Sequence, residues 1–181
     1  MSHAALAPSD WVRRWSGLVP RGEVLDLACG QGRHARLFAS LGHRVTALDR
    51  DREALAALDG VPGVAAVRAD LEDGSPWPFE PGRFAGVVVA NYLYRPLFRH
   101  LTDALIPGGV LIYETFMAGN ERYGKPSNPE FLLAPGELLA VFARELTVAA
   151  FEQGRVARPK AAMIQRLCAL RGTAGEVALE P

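Results

Sequence analysis

Apolar and polar positions run along this chain in two rhythms. Short, nearly unbroken Val/Leu/Ala runs at 23–28, 44–49, 64–68, 84–90 and 109–116 read as strands buried on both faces. Between them, stretches near 33–41, 51–58, 95–105 and 135–142 carry the wider spacing of helices. Strands alternating with helices predict βαβ units and a parallel sheet covered on both sides. Ahead of the first strand, Pro8-Ser9-Asp10 before Trp11-Val12-Arg13-Arg14-Trp15 predicts a helix capped by Ser9 or Asp10, within an N-terminal helical extension over 1–20. Trp11 and Trp15 share one face at i,i+4, and either staple that helix to the sheet or cover a ligand. Near the other end, 146–151 and 161–170 read as a hairpin-like pair of strands separated by Glu152-Gln153-Gly154.

Two connectors stand out. The stretch 74–82, with three prolines and two glycines, predicts an irregular loop anchored by Trp77 and Phe79. The polar stretch 118–130 is too long for a simple turn, and is either a substrate lid or a plain connector. With 181 residues and 49% hydrophobic content, the chain fits one domain over 1–181 with a full core.

Charge narrows the partners. Lys+Arg and Asp+Glu stand at 20 each, so no global field draws a polyanion, and only a local basic patch remains open to nucleic acid. The opening Met1–Pro8 lacks a basic stretch followed by an apolar core, and no segment approaches the ~20 apolar residues of a membrane span. We therefore expect a soluble, cytoplasmic monomer or weak homodimer. Cys29 and Cys168 make neither a disulfide framework nor a zinc site; no metal-ligand spacing is present, so no metal is expected. Arg outnumbers Lys heavily, a bias that suits a GC-rich bacterial genome.

The most informative stretch is Val24-Leu25-Asp26-Leu27-Ala28-Cys29-Gly30-Gln31-Gly32, an apolar strand with a carboxylate set into it and two glycines beyond. Gly30 and Gly32 allow a sharp turn and close ligand approach, and the helix that follows aims its N-terminal amides at that ligand. The letters fit NAD or S-adenosylmethionine, since Gly30-Gln31-Gly32-Arg33-His34-Ala35 also satisfies the dinucleotide pattern, with Asp49 about 20 residues on. Asp26 separates the two: a pyrophosphate at this turn meets a like charge, whereas the ammonium and sulfonium of S-adenosylmethionine meet an opposite one. An NAD-dependent oxidoreductase is thus the first alternative, and a non-catalytic S-adenosylmethionine-binding module the second.

Asp26, Ala28, Gly30 and Gly32 together resemble the first motif of the class I S-adenosylmethionine-dependent methyltransferases, with Ala28 standing where the family has a glycine. Val45–Asp49, Arg68–Leu71, Phe84–Asn91 and Leu105–Glu114 follow in the family's order. Within the family, the Cys-Gly-Gln-Gly-Arg-His run and the compact chain look most similar to small bacterial enzymes related to tellurite-resistance and thiopurine methyltransferases. The resemblance implies a Rossmann-like, doubly wound α/β fold: a mostly parallel seven-stranded sheet with one antiparallel strand. It implies methyl transfer from S-adenosyl-L-methionine by direct displacement, leaving S-adenosyl-L-homocysteine, with a small-molecule acceptor expected.

Ligands of such sheets lie beyond the carboxyl ends of the strands. Asp49 can accept both ribose hydroxyls, or else cap the helix that follows. Asp70 resembles the acid that accepts from the adenine amine, with Leu71 and Arg50 flanking the ring, or else caps a turn. Asn91 is placed to meet the methionine ammonium. Glu114 is expected to orient or deprotonate the acceptor, while Tyr92 and Tyr94 wall the transfer channel or sit in the core. Arg122 and Lys125 either clamp an anionic acceptor or stand solvated. His34 is expected to pack or bond locally.

Overall fold

A computed structural model describes residues 7–173, so residues 1–6 of the expected N-terminal extension and 174–181 of the expected domain lie outside the described residues. Seven strands form one sheet: β1 (Glu23–Leu27), β2 (Arg44–Asp49), β3 (Val64–Arg68), β4 (Phe84–Ala90), β5 (Leu105–Phe116), β6 (Thr147–Val156) and β7 (Ala162–Leu170). Their order is β3-β2-β1-β4-β5-β7-β6, with β7 antiparallel to both its neighbours and all other pairs parallel. The chain starts in the middle of the sheet, winds out to β3, then returns across β1 to β4. That reversal opens a crevice beyond the carboxyl ends of β1 and β4.

The central strands bury nearly every side chain because helices cover both faces. On one face α1 (Asp10–Trp15), α2 (Arg33–Ser40) and α3 (Arg52–Ala56) pack over a cluster that includes Trp11, Trp15, Val24, Phe38, Val88 and Ile112. On the other, α4 (Phe98–Asp103) and α5 (Glu137–Phe142) cover Leu25, Val87, Leu111, Tyr113 and Leu167. Burying that much aliphatic and aromatic surface is the main force holding the layers together, at roughly 1.5–3 kcal/mol per fully buried large side chain.

Ser9 is the N-cap of α1, its Oγ accepting from Trp11 N–H (3.1 Å) and Val12 N–H (3.3 Å). Trp11 and Trp15 are the staple: their rings meet edge to face at 5.6 Å, and Trp11 Nε1–H donates to Leu167 O on β7. Trp77 and Phe79 anchor the 74–82 loop, Trp77 stacking on His100 and Phe79 meeting Phe84.

Some boundaries fall elsewhere than the pattern suggests. β5 starts at Leu105 rather than 109, because Leu105 already pairs with Phe84 and the Pro107-Gly108-Gly109 segment forms an irregularity within the pairing. Residues 95–97 form a single 3₁₀ turn ahead of the short α4. Glu152-Gln153-Gly154 is not the hairpin connector. β6 runs through it to Val156 because Glu152 faces Arg166 across the ladder and their side chains form an ion pair, so the chain reverses at 157–161 instead.

Candidate functional site

The β1–α2 turn is built by backbone amides and carboxylates. Asp26 is buried in β1, and its Oδ2 accepts from Ala35 N–H at 2.8 Å, which ties the first turn of α2 to the strand. Burial pushes the carboxyl up to about 7 by desolvation, against the pull of Ala35 N–H and Arg33. Asp49, at the end of β2, accepts from Gly30 N–H (2.8 Å) through Oδ2 and from Asp51 N–H (2.9 Å) through Oδ1. Each carboxylate oxygen has a second acceptor site, so these bonds leave Asp49 able to take ligand hydroxyls as well. Capping α3 is the work of Asp51, whose side chain accepts from Glu53 and Ala54 N–H.

The two glycines serve different ends. Both lie in the left-handed region, Gly30 at φ 54° and Gly32 at φ 75°. A Cβ on Gly30 meets nothing within 4 Å, so the bare backbone there faces open space. A Cβ on Gly32 lands 2.4 Å from Leu58 Cδ2, so close packing against Leu58, in the turn after α3, calls for a glycine here. Ala28 also has positive φ, 53°, the conformation that a glycine would adopt more easily.

Two hollows open on this turn and meet at Ala28 and Asn91. The larger, about 360 Å³, is lined along one side by Leu48, Asp49, Arg50, Ala69, Asp70 and Leu71, and runs to Tyr92, Leu93, Thr115, Phe116, Pro126 and Phe131. The other, about 290 Å³, is lined by Asp26, Gly30, Arg33, His34 and Ala90. Both fall at or near the size range of small-molecule sites, ~300–1,000 Å³. Asp70 holds a short turn through Glu72 N–H (3.0 Å), with Arg50 3.8 Å away. Asn91 has φ 58°, a left-handed geometry that asparagine tolerates, and its N–H is held by Glu114 O at 2.9 Å.

Of the twelve residues given cofactor or catalytic roles from the sequence, nine line these hollows: Asp26, Ala28, Gly30, Asp49, Arg50, Asp70, Leu71, Asn91 and Tyr92. Gly32, Tyr94 and Glu114 do not. Tyr94, like Tyr92, is partly buried against the edge of the core. Glu114 sits on the opposite face of β5 from Thr115, next to Ala90 and near Ser9; burial raises its carboxyl above the ordinary range despite Ser9, Arg33 and Arg166. Tyr92 is half-buried, its phenol held neutral by burial and by the nearby Glu72.

The sequence pattern did not single out Arg33, Glu72, Thr115, Phe116, Pro126 or Phe131 as walls, since each comes from a helix start, a connector or a strand end whose direction only packing decides. His34 is buried: its Nε2 accepts from Ser9 N–H (3.2 Å) and its Nδ1 faces Asp26 at 4.0 Å. Desolvation, then Arg33, holds its pKa down to about 3, so the ring stays neutral and pins the start of α1 over the second hollow. Cys29 is pushed up by burial and by Asp26 and Asp49, which keeps it a thiol.

Residues 24–109 match the family described as a methyltransferase domain. No curated protein matches the chain. Among solved structures, TehB from Haemophilus influenzae superposes with a TM-score of 0.76 at 18% identity, covering 94% of this chain and 64% of that one. A TehB-like SAM-dependent methyltransferase from Corynebacterium glutamicum gives 0.66 at 22% identity, covering 93% and 90%. An S-adenosylmethionine-dependent methyltransferase from Mesorhizobium loti gives 0.66 at 20%, covering 87% and 97%. The chain thus spans a little under two thirds of the H. influenzae protein, and at these identities the likeness is one of fold.

Proposed function

We propose that this chain, a class I S-adenosylmethionine-dependent methyltransferase by its domain family and sheet order, methylates a small-molecule acceptor by direct displacement. The observation that carries the reading is the pairing of a buried carboxylate, Asp26, with an open backbone approach at Gly30. A cationic ligand end suits that pair, and a diphosphate does not.

The residues present fit S-adenosylmethionine. Asp49 would take the ribose hydroxyls, Asp70 the adenine amine between Leu71 and Arg50, and Asp26 with Asn91 the methionine ammonium. Arg33, at the rim of the second hollow, suits the methionine carboxylate. When bound, the group supplies a methyl already activated by a positive sulfur. The protein's own tasks are to align the acceptor and exclude water. Phe116, Phe131 and Tyr92 supply an apolar wall for the acceptor end; Phe131 is 49% exposed, a large aromatic open to solvent unless something covers it. The 118–130 stretch supports a lid at this end: Pro126 forms part of the wall, and buried Asn120 holds the stretch to β7 by accepting from Met163 N–H. Cytoplasmic location follows as part of the same reading; among the described residues no helix is long and apolar enough to cross a membrane.

Calorimetry with S-adenosylhomocysteine and with NADH tests the cofactor. Heat is expected with the first alone, and binding of NADH alone overturns the reading. Glu114 acts in this scheme as a positioning residue, its carboxyl near Ser9 at the start of α1 and its carbonyl accepting from Asn91 N–H. Glu114→Gln is expected to lower kcat roughly tenfold or more, with cofactor affinity changed less than about threefold. Steady-state kinetics on the acceptor check this, and unchanged kcat removes the role.

A further inference from the structure

Of the chain's two lysines, one lies in the 118–130 stretch and the other reaches it from the β6–β7 hairpin. The 118–130 stretch lies along the β6–β7 hairpin and is fastened there at three points. Asn120 Oδ1 accepts from Met163 N–H (3.1 Å) while its Nδ2 donates to Pro126 O (3.0 Å). The Arg155 guanidinium lies 5.8 Å over the Tyr123 ring. A side-chain carbon at Gly124 would sit 3.2 Å from Lys160 Nζ. These contacts bring the segment that carries Arg122 and Lys125 against the end of the hairpin that carries Arg155, Arg158 and Lys160, and all five are exposed.

Their charge is not cancelled locally. None of the five forms an ion pair with a described carboxylate, although six other arginines do. Glu121 accepts from Gly119 N–H (2.8 Å), and Glu152 is paired with Arg166 and Arg14. Along 118–130 and 155–163 five cations stand against two carboxylates, Glu121 and Glu130, in a chain whose formal net charge is +0. The strip also adjoins the acceptor end of the larger hollow: Pro126, which follows Lys125 directly, lines that hollow.

We propose that this strip is an anion-binding subsite, and that the acceptor carries a phosphate or carboxylate group gripped by Lys125 and Lys160 with Arg122. The two lysines act as point charges from the lid and from the hairpin, so a bound anion draws the two segments together. Arg122 donates from Nε to Gly119 O (3.3 Å), which directs the guanidinium and leaves its outer nitrogens as donors. The apolar wall of Tyr92, Phe116 and Phe131 then receives the part of the acceptor that is methylated. This subsite deepens the methyltransferase reading and rests on it for the word acceptor; the anion site itself stands on the charge geometry.

The test uses the full chain loaded with S-adenosylhomocysteine and titrated with inorganic phosphate, with acetate, and with a short single-stranded RNA, while backbone amide resonances are followed. Saturable shifts confined to 119–126 and 155–163 are expected with phosphate, acetate or both, and which of the two binds more tightly names the group. Lys125→Ala with Lys160→Ala is expected to weaken this binding at least tenfold, with S-adenosylhomocysteine affinity unchanged. Shifts that are absent, that spread over other cationic sites, or that survive in the double variant overturn the subsite. RNA binding that tightens with oligonucleotide length and centres on this strip overturns the small-molecule assignment. Failure of the wild type to bind S-adenosylhomocysteine would instead strike the cofactor reading, leaving the phosphate titration of the unloaded chain to decide the subsite.

Discussion

Cofactor affinity is expected to climb steeply as pH rises from about 5 to 7. Asp26 lies buried in β1, its carboxyl pushed up to about 7 because no solvent stabilises the charged form. Only the ionised carboxylate answers a cationic amine, so at pH 5 most molecules must first give up a proton before binding. Linkage makes the cost roughly 50-fold in affinity between pH 7 and pH 5, before the ligand's own amine titrates near ~7.7–8.0. Calorimetry with S-adenosylhomocysteine in two buffers of different ionisation heat reads both the slope and the released proton. Asp26→Asn is expected to flatten the profile and to weaken binding at pH 7.5 by tenfold or more. A flat profile in the wild type would remove the proposed ammonium contact.

The same residue makes a stability prediction with a fixed sign. The folded-state pKa lies above the unfolded value, so the native state holds its proton more tightly and this group's contribution is fully present below about pH 4. It is lost progressively as pH rises through about 7. Without ligand, Asp26→Asn should therefore melt above the wild type at pH 8 and close to it at pH 4.5. Asparagine keeps an oxygen for Ala35 N–H, so the tie to α2 survives.

The second large effect separates the two glycines. Gly30→Ala is expected to keep the fold, at about 1–2 kcal/mol for a left-handed alanine, because its methyl meets no protein atom. Cofactor affinity should fall by two orders of magnitude, since the methyl occupies the open approach. Gly32→Ala should do the reverse in emphasis. Its methyl collides with Leu58, and overpacking plus backbone strain together cost roughly 2–5 kcal/mol, or about 5–15 °C in Tm. Combining it with Leu58→Ala should cost less than the sum of the two single changes, because removing the leucine branch relieves the collision. Melting curves and calorimetry on the four variants decide this. Equal loss of affinity at both glycines with no loss of stability at Gly32 would show that the turn serves the ligand throughout.

Much of this arrangement was legible from residue order. The central strands are bounded by their own composition, since parallel strands covered on both faces must be apolar throughout, and Val24–Leu27 and Phe84–Ala90 have little other use. Asp26, Asp49, Asp70 and Asn91 stood out because polar residues at the ends of such strands have no packing reason to be there. The boundaries that moved are those where a long-range partner decides. β6 continues through Gly154 because Arg166 lies opposite Glu152, and β5 starts early because Leu105 finds Phe84.

Local sequence by itself therefore determined the layered α/β class, the glycine turn and the acids around it, because period, turn chemistry and charge act over a few residues. Tertiary structure alone decided what each side chain faces. Gly32 meets Leu58, Glu114 lies near Ser9 on the far side of β5 from Thr115, and Tyr92 walls the hollow while Tyr94 does not. It also brought Lys160 against Gly124, next to Lys125 in the chain. Those facts depend on which segments pack together, and no short stretch of sequence carries that information.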